Sequence, residues 1–445
     1  MHYQPVVNQI HLPVPLDPLW TMIFAVVLVL AAMAVVKRAA YGIAALILVQ
    51  PFALSHDIFA TTVTLPKVTL IGILLGLWVR SGRRSALGER PIRNVLIALA
   101  MLVCAIAATA IVAAHRGSTL RETLKWLEYL VLFAATCTAY RRDPDDALLV
   151  RCWTLVAIAV AALALLQEAI GAPSGLVLNG EVIPRIAGPL EGPNQLGAYL
   201  AISLATLCAW CGRERLVGFA IPLACCALAL TFSRGGIAGA VIAVAIVFAA
   251  SPRTRSLLVR PLALGTALGV ALVGLWNGIT HAGLMPPPSS PSYAGGVGYR
   301  LELWRAAIEL WRRHPLLGVG AGNYELDLPQ VGLLGVRTHA NSWYLQALAE
   351  GGIVLFSATI WLIATIVSAL TRRLREASPW QVAALAATLG LAFHQIFDYL
   401  VFYPKVGATW WILVALGVAA MTRAAPANES GGRSAAAAGD VPRIS

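Results

Sequence analysis

The composition of this 445-residue chain excludes a soluble globular protein, because 59% of its residues are hydrophobic and only 12% are charged. That charged share is about half of what a typical globular domain carries. The formal net charge is +12, and most of the excess stands in short lysine and arginine clusters between apolar segments. This arrangement is typical of cytoplasmic anchoring of a membrane protein and requires no nucleic acid.

Apolar segments long enough to cross about 30 Å of hydrocarbon recur along the chain. All should be helices, because backbone within lipid must satisfy its own hydrogen bonds. We therefore predict an all-α polytopic integral membrane protein with about 12 transmembrane helices, or about 13 if the short second and third segments both cross. The segments lie near 19–36, 39–54, 67–80, 95–114, 123–140, 152–170, 194–211, 217–232, 236–250, 261–279, 346–370, 381–397 and 406–422.

Basic clusters alternate with less basic loops, and this alternation predicts the orientation. The positive-inside rule places the basic clusters in the cytoplasm. The remaining loops then share the outer side, and they are 55–66, 115–122, 171–193, 280–345 and 398–405. The N-terminus lies outside if the 39–54 segment crosses the membrane, and inside if that segment only dips into it.

One long polar insertion interrupts the apolar pattern and divides the chain. We predict N-terminal transmembrane helices over 1–279, a large periplasmic loop containing helices over 280–345, and C-terminal transmembrane helices over 346–423. The tail 424–445 is rich in small and polar residues that cannot bury a core, so we predict that it is disordered and cytoplasmic. The large loop is rich in arginine and histidine, which suggests an anionic substrate.

The large loop contains an amphipathic run that begins at Tyr299. Apolar side chains recur there at spacings of three and four, at Leu301, Trp304, Ile308 and Trp311. This spacing predicts a helix with one apolar stripe, lying on the membrane surface or roofing the bundle. Arg300 heads the helix, and its side chain can reach beneath the roof.

A glycine-rich turn follows the amphipathic run. After His314-Pro315, glycines stand at positions 318, 320 and 322, and Asn323 follows. Such a turn lets backbone N–H groups approach an anion closely. The alternative is a plain turn without a ligand.

His339 is the candidate general base. It stands just before Asn341-Ser342, either of which suits the N-cap of the next helix. The positive end of a helix disfavours a cation, so we expect a neutral imidazole that can accept a proton near pH 7. The alternative is a histidine that makes only a structural hydrogen bond.

Three arginines are predicted at the same outer boundary of the membrane. Arg185 precedes the Pro193-Asn194 pair, Arg234 stands between two apolar segments with almost no loop, and Arg300 heads the amphipathic helix. The planar guanidinium matches phosphate oxygens, so a shared diphosphate is one explanation. For any one of them, the alternative is snorkelling to the interface.

We expect no metal site and no cofactor, because the outer segments carry no group of His, Cys, Asp or Glu at ligand spacing. The arginine-bearing loops contain few carboxylates, and this scarcity fits an anionic substrate.

The motifs in 185–355 together resemble the superfamily of O-antigen ligases and O-antigen polymerases. The likeness lies in Arg185 with Pro193-Asn194, in Ser233-Arg234-Gly235, in Arg300 followed by His314-Pro315 and Asn323, and in His339-Ala340-Asn341-Ser342 with Glu350-Gly351-Gly352. The resemblance implies a GT-C-like membrane glycosyltransferase of the bacterial inner membrane with a periplasmic active site. Family histidines are often followed at once by Asn or Ser, whereas Ala340 intervenes here.

By this resemblance, His339 is the catalytic base, and Arg234, Arg300 and Arg185 bind the diphosphate of a polyprenyl-linked sugar. The supporting residues are then Asn194, Asn341, His314 and Asn323.

The leading function is an O-antigen ligase, which transfers polysaccharide from undecaprenyl diphosphate to a sugar hydroxyl of lipid A-core without a metal. An O-antigen polymerase and a protein O-oligosaccharyltransferase are the enzymatic alternatives. From another class, a permease for an anionic solute would need charged residues at mid-membrane or broken helices in paired halves.

Overall fold

A computed structural model describes residues 18–52, 55–58, 61–80, 86–170, 174–178, 181–282, 291–292 and 297–422. The predicted tail 424–445 lies outside the described residues. The helices are α1 Pro18–Lys37, α2 Ala39–Val49, α3 Leu65–Val79, α4 Arg90–Ala108, α5 Arg116–Arg142, α6 Asp146–Ile170, α7 Pro193–Ala209, α8 Val217–Leu230, α9 Arg234–Ala250, α10 Arg255–His281, α11 Val297–Arg313, α12 Tyr324–Asp327, α13 Trp343–Leu370, α14 Pro379–His394 and α15 Pro404–Met421.

The expectation of a mostly helical membrane protein is confirmed. Every apolar segment predicted from the sequence coincides with one of these helices, and six of the described helices are long and apolar enough to cross a membrane. Four shorter apolar helices accompany them, α2, α3, α8 and α9. The total of about 12 spans remains a prediction.

Small β-structures, which the sequence analysis did not anticipate, join some of the helices. Strands β1 Ser55–Ile58 and β2 Thr61–Thr64 form an antiparallel hairpin. Strands β3 Ser174–Leu178 and β4 Glu181–Arg185 form a second one, and β5 Pro291–Ser292 pairs parallel to β3. The second sheet therefore ties the loop before α7 to the large loop.

The bundle has two ends with different chemistry. At one end, which we call the basic end, Arg38 pairs with Asp143 and Asp145, and Arg80 donates to the last carbonyls of α1. At the other, which we call the loop end, the loops bond to one another. Here Gln50 donates to the Pro404 carbonyl, the His115 amide to Asn323, and Lys405 to the Pro189 carbonyl.

The short α2 joins the two ends of the bundle. It starts after Arg38 at the basic end and is followed by Gln50 at the loop end. Helix α1 runs alongside α3 in the same direction, because Gly72 meets Ala31 while Gly76 meets Val35. The structure therefore places the start of α1 at the loop end, and whether the 39–54 segment crosses the membrane stays a prediction.

Helices α7, α14 and α15 form the centre of the bundle. Almost every side chain of α7 and α15 is buried. Four tryptophans are among the largest fully buried side chains, Trp126, Trp380, Trp410 and Trp411. Small residues allow close approach, as where Gly239 of α9 meets Gly390 of α14. These central helices give the loop-end residues a rigid base.

The large loop has its own small core, and the predicted stripe on α11 is not its most buried face. The buried side chains of α11 are Leu303, Ala306, Ala307 and Leu310. They pack on Tyr324, Leu328 and Ala349, whereas Leu301 is exposed and Trp304 is half-buried. The predicted stripe is a second apolar face: Trp304, Ile308 and Trp311 are half-buried, and the Trp304 ring packs beside Phe397. That this face lies on the membrane surface or roofs the bundle stays a prediction.

Helix α13 is broken at Gly352, which has φ of 59° and ψ of −156°. The break exposes two amides to the large loop, and these bond to it. Ile353 N–H donates to the Pro315 carbonyl at 2.9 Å and Val354 N–H to that of Leu316 at 3.4 Å. A Cβ at Gly352 would overlap those carbonyls. The loop is thus anchored in the helix that follows it.

Candidate active site

Arg185 is held at the loop end by the entry to α7. Its Nε donates to the Thr231 carbonyl at 2.7 Å, and its Nη2 donates to Asn194 Oδ1 at 2.8 Å. Asn194 Nδ2 in turn donates to Asp398 Oδ2 at 2.8 Å. The hydrogen bonds therefore connect β4, the first turn of α7, the α8–α9 junction and the loop after α14.

Arg300 adds a second positive charge to this cluster. Burial and the nearby Arg300 lower the pKa of Arg185 to about 10, and Asp398 opposes them. Burial also raises the pKa of Asp398, although Arg300 and Arg185 both act to lower it. One carboxylate therefore faces two guanidinium groups, which leaves an excess of positive charge.

Three buried donor-bearing side chains in this cluster have an unpaired nitrogen. Arg300 Nε, His394 Nδ1 and Gln395 Nε2 are buried and have no hydrogen-bond partner within the described residues. Leaving a buried polar group unpaired costs roughly 1–3 kcal/mol. Such atoms indicate a site that a ligand or water completes.

Arg234 opens α9 directly beside His394. Ser233 caps the helix by accepting from the Gly236 amide at 3.2 Å, which fixes where Arg234 emerges. Any Cβ at Gly235 would overlap the His394 ring, so the helix start lies against that histidine. Arg234 itself is exposed, and within the described part of the chain it makes no hydrogen bond or ion pair. Its guanidinium is therefore available.

His339 lies on an aromatic surface next to the arginine cluster. Its ring centroid is 4.1 Å from that of Phe402, 5.5 Å from that of Tyr399 and 6.2 Å from that of Tyr403. Burial and the charge of Lys125 lower the pKa of His339 to about 4. The imidazole is therefore neutral near pH 7, as a general base requires. The neutrality was expected, but burial is its main cause and the helix terminus is not.

The loop after α14 joins the histidine to the arginines. Trp343 N–H at the start of α13 donates to the carbonyls of Gln395 and Asp398, at 2.9 and 3.0 Å. Ser342 is the N-cap of α13, and its Oγ accepts from the Leu345 amide. The helix that follows His339 therefore bonds to the loop of Asp398, which binds Asn194 and faces Arg185 and Arg300. Arg234 lies beside His394, just before that loop.

Asn341 supports the site through its backbone. It has a left-handed φ of 49°, and its carbonyl accepts from Trp304 Nε1 at 3.4 Å. Trp304 lies one turn beyond Arg300 on α11, and its ring is 6.3 Å from that of Phe397. Asn341 thus helps to seat α11 over the loop after α14.

The glycine-rich turn does hold an acidic group, but that group is a side chain of the protein itself. Glu350 Oε1 accepts from the Tyr324 amide at 3.2 Å, and the carboxylate also accepts from the Gly322 amide. Gly320 N–H donates to the Glu350 carbonyl at 2.8 Å. The turn is therefore occupied from within and is not a substrate cradle.

Asn323 and His314 lie apart from the arginine cluster. Asn323 is fully buried, and its amide bonds to the backbone of His115 and to Thr119. It therefore anchors the loop to the start of α5. His314 is exposed at the end of α11, about 21 Å along the helix from Arg300 at 1.5 Å per residue. Neither is placed to touch a ligand of the arginines.

An apolar cavity of about 760 Å³ begins one turn below Arg234. Helices α7, α8, α9 and α10 enclose it, with Ile237, Val241, Val244 and Phe248 of α9 along one wall. Val241 is 63% exposed, so the cavity opens to the side of the bundle. An apolar chain of a lipid with an anionic head would fit this combination of groove and arginine.

Sequence reasoning missed several residues of the site. Four residues were not singled out as parts of the site: Lys125, His394, Gln395 and Asp398. Asp398 is the acceptor of Asn194 and is fully buried, and Lys125 lies over the Phe402 ring at 4.3 Å. An acidic residue between two apolar segments was the available signal for Asp398. No pattern in the sequence pointed to Lys125.

Among the described residues, no group of three or more His, Cys, Asp or Glu side chains could hold a metal ion.

The fold and the site define a multi-pass helical membrane protein whose loop end gathers positive charge and a neutral histidine above a lateral apolar groove. Residues 219–360 match the family model Wzy_C, described as O-Antigen ligase. This match confirms the resemblance to the O-antigen ligase and polymerase superfamily, and the matched segment contains Arg234, Arg300 and His339. Members of this family are membrane glycosyltransferase-like ligases or polymerases, so the match supports an enzyme at this coarse level. No curated protein matches it.

Proposed function

We propose that the protein is an O-antigen ligase of the bacterial inner membrane, with the loop end facing the periplasm. It transfers polysaccharide from undecaprenyl diphosphate to a sugar hydroxyl of lipid A-core. One observation carries this proposal: Arg185, Arg234 and Arg300 converge beside unpaired buried donors at the mouth of a lateral apolar groove. A lipid with a diphosphate head matches both parts of the site, because the head fits the arginines and the apolar chain fits the groove.

The arginines hold the donor. Arg234 and Arg300 have guanidinium groups free to grip the diphosphate, while Arg185 contributes charge from its fixed position beside Asn194. Charge-assisted bonds to phosphate are short and strong, and guanidinium can make two at once. The polyprenyl chain lies in the groove along α9 and leaves the bundle sideways into lipid.

His339 activates the acceptor. The neutral imidazole takes the proton of the acceptor hydroxyl, the oxygen attacks the anomeric carbon, and undecaprenyl diphosphate leaves with the electron pair. The arginines neutralise charge on the leaving group as the bond breaks. A single displacement inverts the anomeric centre, and the charge is supplied by side chains, so the reaction is independent of metal. Product stereochemistry and activity in EDTA test these two points.

The decisive experiment uses purified protein with an undecaprenyl-diphosphate-linked glycan and lipid A-core. His339→Ala should abolish transfer and leave the folded protein intact. Near wild-type transfer by this variant would remove His339 from the mechanism. In cells, a deletion strain should lose capped core while lipid-linked polymer accumulates. Core capped by only one repeat would indicate a polymerase instead, and loss of glycan from a protein would indicate an O-oligosaccharyltransferase.

A further inference from the structure

The buried pair Gln346 and Glu350 lies behind His339, and the proposed reaction does not use it. Both side chains stand on α13 one turn apart, and each is less than 5% exposed. Gln346 Nε2 donates to Glu350 Oε1 at 2.8 Å, and Gln346 Oε1 accepts from the Ala340 amide at 2.7 Å. Ala340 is the residue next to His339, so the pair connects the glycine-rich turn to the candidate base.

The direction of these hydrogen bonds is forced. A backbone N–H only donates, so Gln346 must turn its oxygen to the Ala340 amide. Its NH₂ group then faces Glu350 Oε1 and donates to it. Glu350 is held in turn by the amides of Tyr324 and Gly322.

The Ala340 peptide sets the direction in which His339 leaves the backbone. Ala340 is fully buried against the small core of the loop, and the next residue, Asn341, has a left-handed φ of 49°. The Gln346 bond is the one that holds the Ala340 amide. Without this hydrogen bond, the turn that carries the His339 imidazole is no longer held in place beside the aromatic surface.

We propose that Glu350 is a positioning residue for His339, acting through Gln346 and the Ala340 amide. This inference rests on the proposed function, in which His339 is the base. It also gives a reason why a glutamate followed by a glycine stands opposite the glycine-rich turn. Gly318 approaches the backbone at Glu350 and Gly351 so closely that a Cβ on Gly318 would overlap it.

The test removes the acceptor atom that two of these bonds share. Glu350 Oε1 accepts both from Gln346 Nε2 and from the Tyr324 amide, so Glu350→Leu leaves the Gln346 amide without the partner that holds it. We expect kcat to fall roughly 10- to 100-fold with KM nearly unchanged, since a misplaced base costs rate rather than binding.

The conservative variant Glu350→Gln is the rescue. Its amide oxygen takes the place of Oε1 and still accepts from Gln346 Nε2 and from the Tyr324 amide. We expect kcat to stay within about threefold of wild type. Glu128→Leu is the matched control, because Glu128 lies on α5 and pairs with Lys67 away from the network.

A second readout does not need the reaction. The rate at which diethyl pyrocarbonate modifies His339, followed by mass spectrometry of its peptide, reports how firmly the ring is held. It should rise in Glu350→Leu and stay near the wild-type rate in Glu350→Gln. Wild-type kcat and modification rate in Glu350→Leu, or a change in Glu350→Gln as large as that in Glu350→Leu, would overturn the proposal. If wild-type protein ligates nothing, the proposed function fails, while the modification rates still decide whether Glu350 positions His339.

Discussion

At the residue scale, the feature with the clearest chemical consequence is the charge state of His339. Burial and Lys125 hold its pKa at about 4. Lys125 is itself paired with Glu122 at 2.7 Å, and its ammonium lies over the Phe402 ring that His339 also contacts. Because the base works only when neutral, activity should be flat over pH 6–8 and fall as pH drops through about 4.

Lys125→Met should move that acid limb to higher pH. The substitution removes the positive charge that lowers the histidine pKa, and it leaves Glu122 unpaired nearby, which acts in the same direction. Burial is the larger cause and stays in place, so the limb moves only part of the way toward the usual histidine pKa. The measurement is log kcat/KM against pH, and an unmoved limb would contradict the assignment of His339 as the titrating base.

Arg234→Ala and Arg300→Ala should each weaken donor binding by about 1.5–3 kcal/mol, the usual worth of a charge-assisted hydrogen bond. Lysine should restore binding only partly, since it cannot grip two oxygens in a plane. Binding of the undecaprenyl diphosphate donor to purified variants is the measurement. Arg151→Ala is the control, because Arg151 is 61% exposed on α6 and pairs with Glu214. Unchanged affinity in Arg234→Ala would mean that this arginine only snorkels.

The sequence singles out the candidate arginines and the candidate base better than the residues that arrange them. Arg234 stands out because charge at a membrane boundary is costly, and His339 because it precedes a predicted helix N-cap. Asp398 and Gln395 do not, because an isolated polar residue near a helix end has many ordinary explanations. Their importance depends on contacts between segments more than 40 positions apart, such as Asn194 with Asp398. Spacing along the chain carries no information about such pairs.

At the element scale, the break in α13 determines how the large loop is attached. Gly352 has φ of 59°, and the loop carbonyls of Pro315 and Leu316 occupy the space where a Cβ would stand. Gly352→Ala therefore combines backbone strain with a steric clash, and should cost about 2–5 kcal/mol of stability. Gly332→Ala is the matched control, since Gly332 has φ of 87° with nothing within 4 Å of its Cβ position.

Thermal unfolding in detergent measures the stability of both glycine variants. Transfer activity shows whether the large loop keeps its functional conformation. Gly332→Ala should show only the strain, about 1–2 kcal/mol, and keep activity. Equal losses in the two variants would show that the carbonyl contacts at Gly352 contribute nothing.

The sequence predicted where the helices lie, but it did not predict which face of a helix is buried. Apolar length alone located the helices, because lipid leaves the backbone few alternatives. The most buried face of α11 was not singled out, because Ala306 and Ala307 are small and add little to an apolar stripe, yet they pack in one cluster with Tyr324 and Leu328. The hairpins β1–β2 and β3–β4 were missed because short connecting strands have no strong periodicity.

At the scale of the whole molecule, the lateral groove and the loop end should act together on a lipid-linked donor. Val241→Trp and Val244→Trp narrow the cavity of about 760 Å³ along α9. We expect KM for an undecaprenyl donor to rise by about 10-fold, because burying the chain supplies roughly 0.8 kcal/mol per methylene. A donor with a short prenyl chain should be nearly unaffected.

Ile97→Trp is the control for the groove variants, since Ile97 is 47% exposed on α4 and lines no part of the cavity. Equal sensitivity of the long and short donors to Val241→Trp would place the polyprenyl chain elsewhere.

The carboxylate of Glu350 inside the glycine-rich turn also limits how this protein can be recombined with its relatives. A chimera that exchanged only residues 280–345 would separate the turn from the side chain that fills it and from the amides of Ile353 and Val354 that hold Pro315 and Leu316. The natural unit of exchange therefore runs from the start of the loop through Val354. A protein that receives the longer segment should fold and take on the acceptor specificity that comes with it. A protein that receives only residues 280–345 should misassemble.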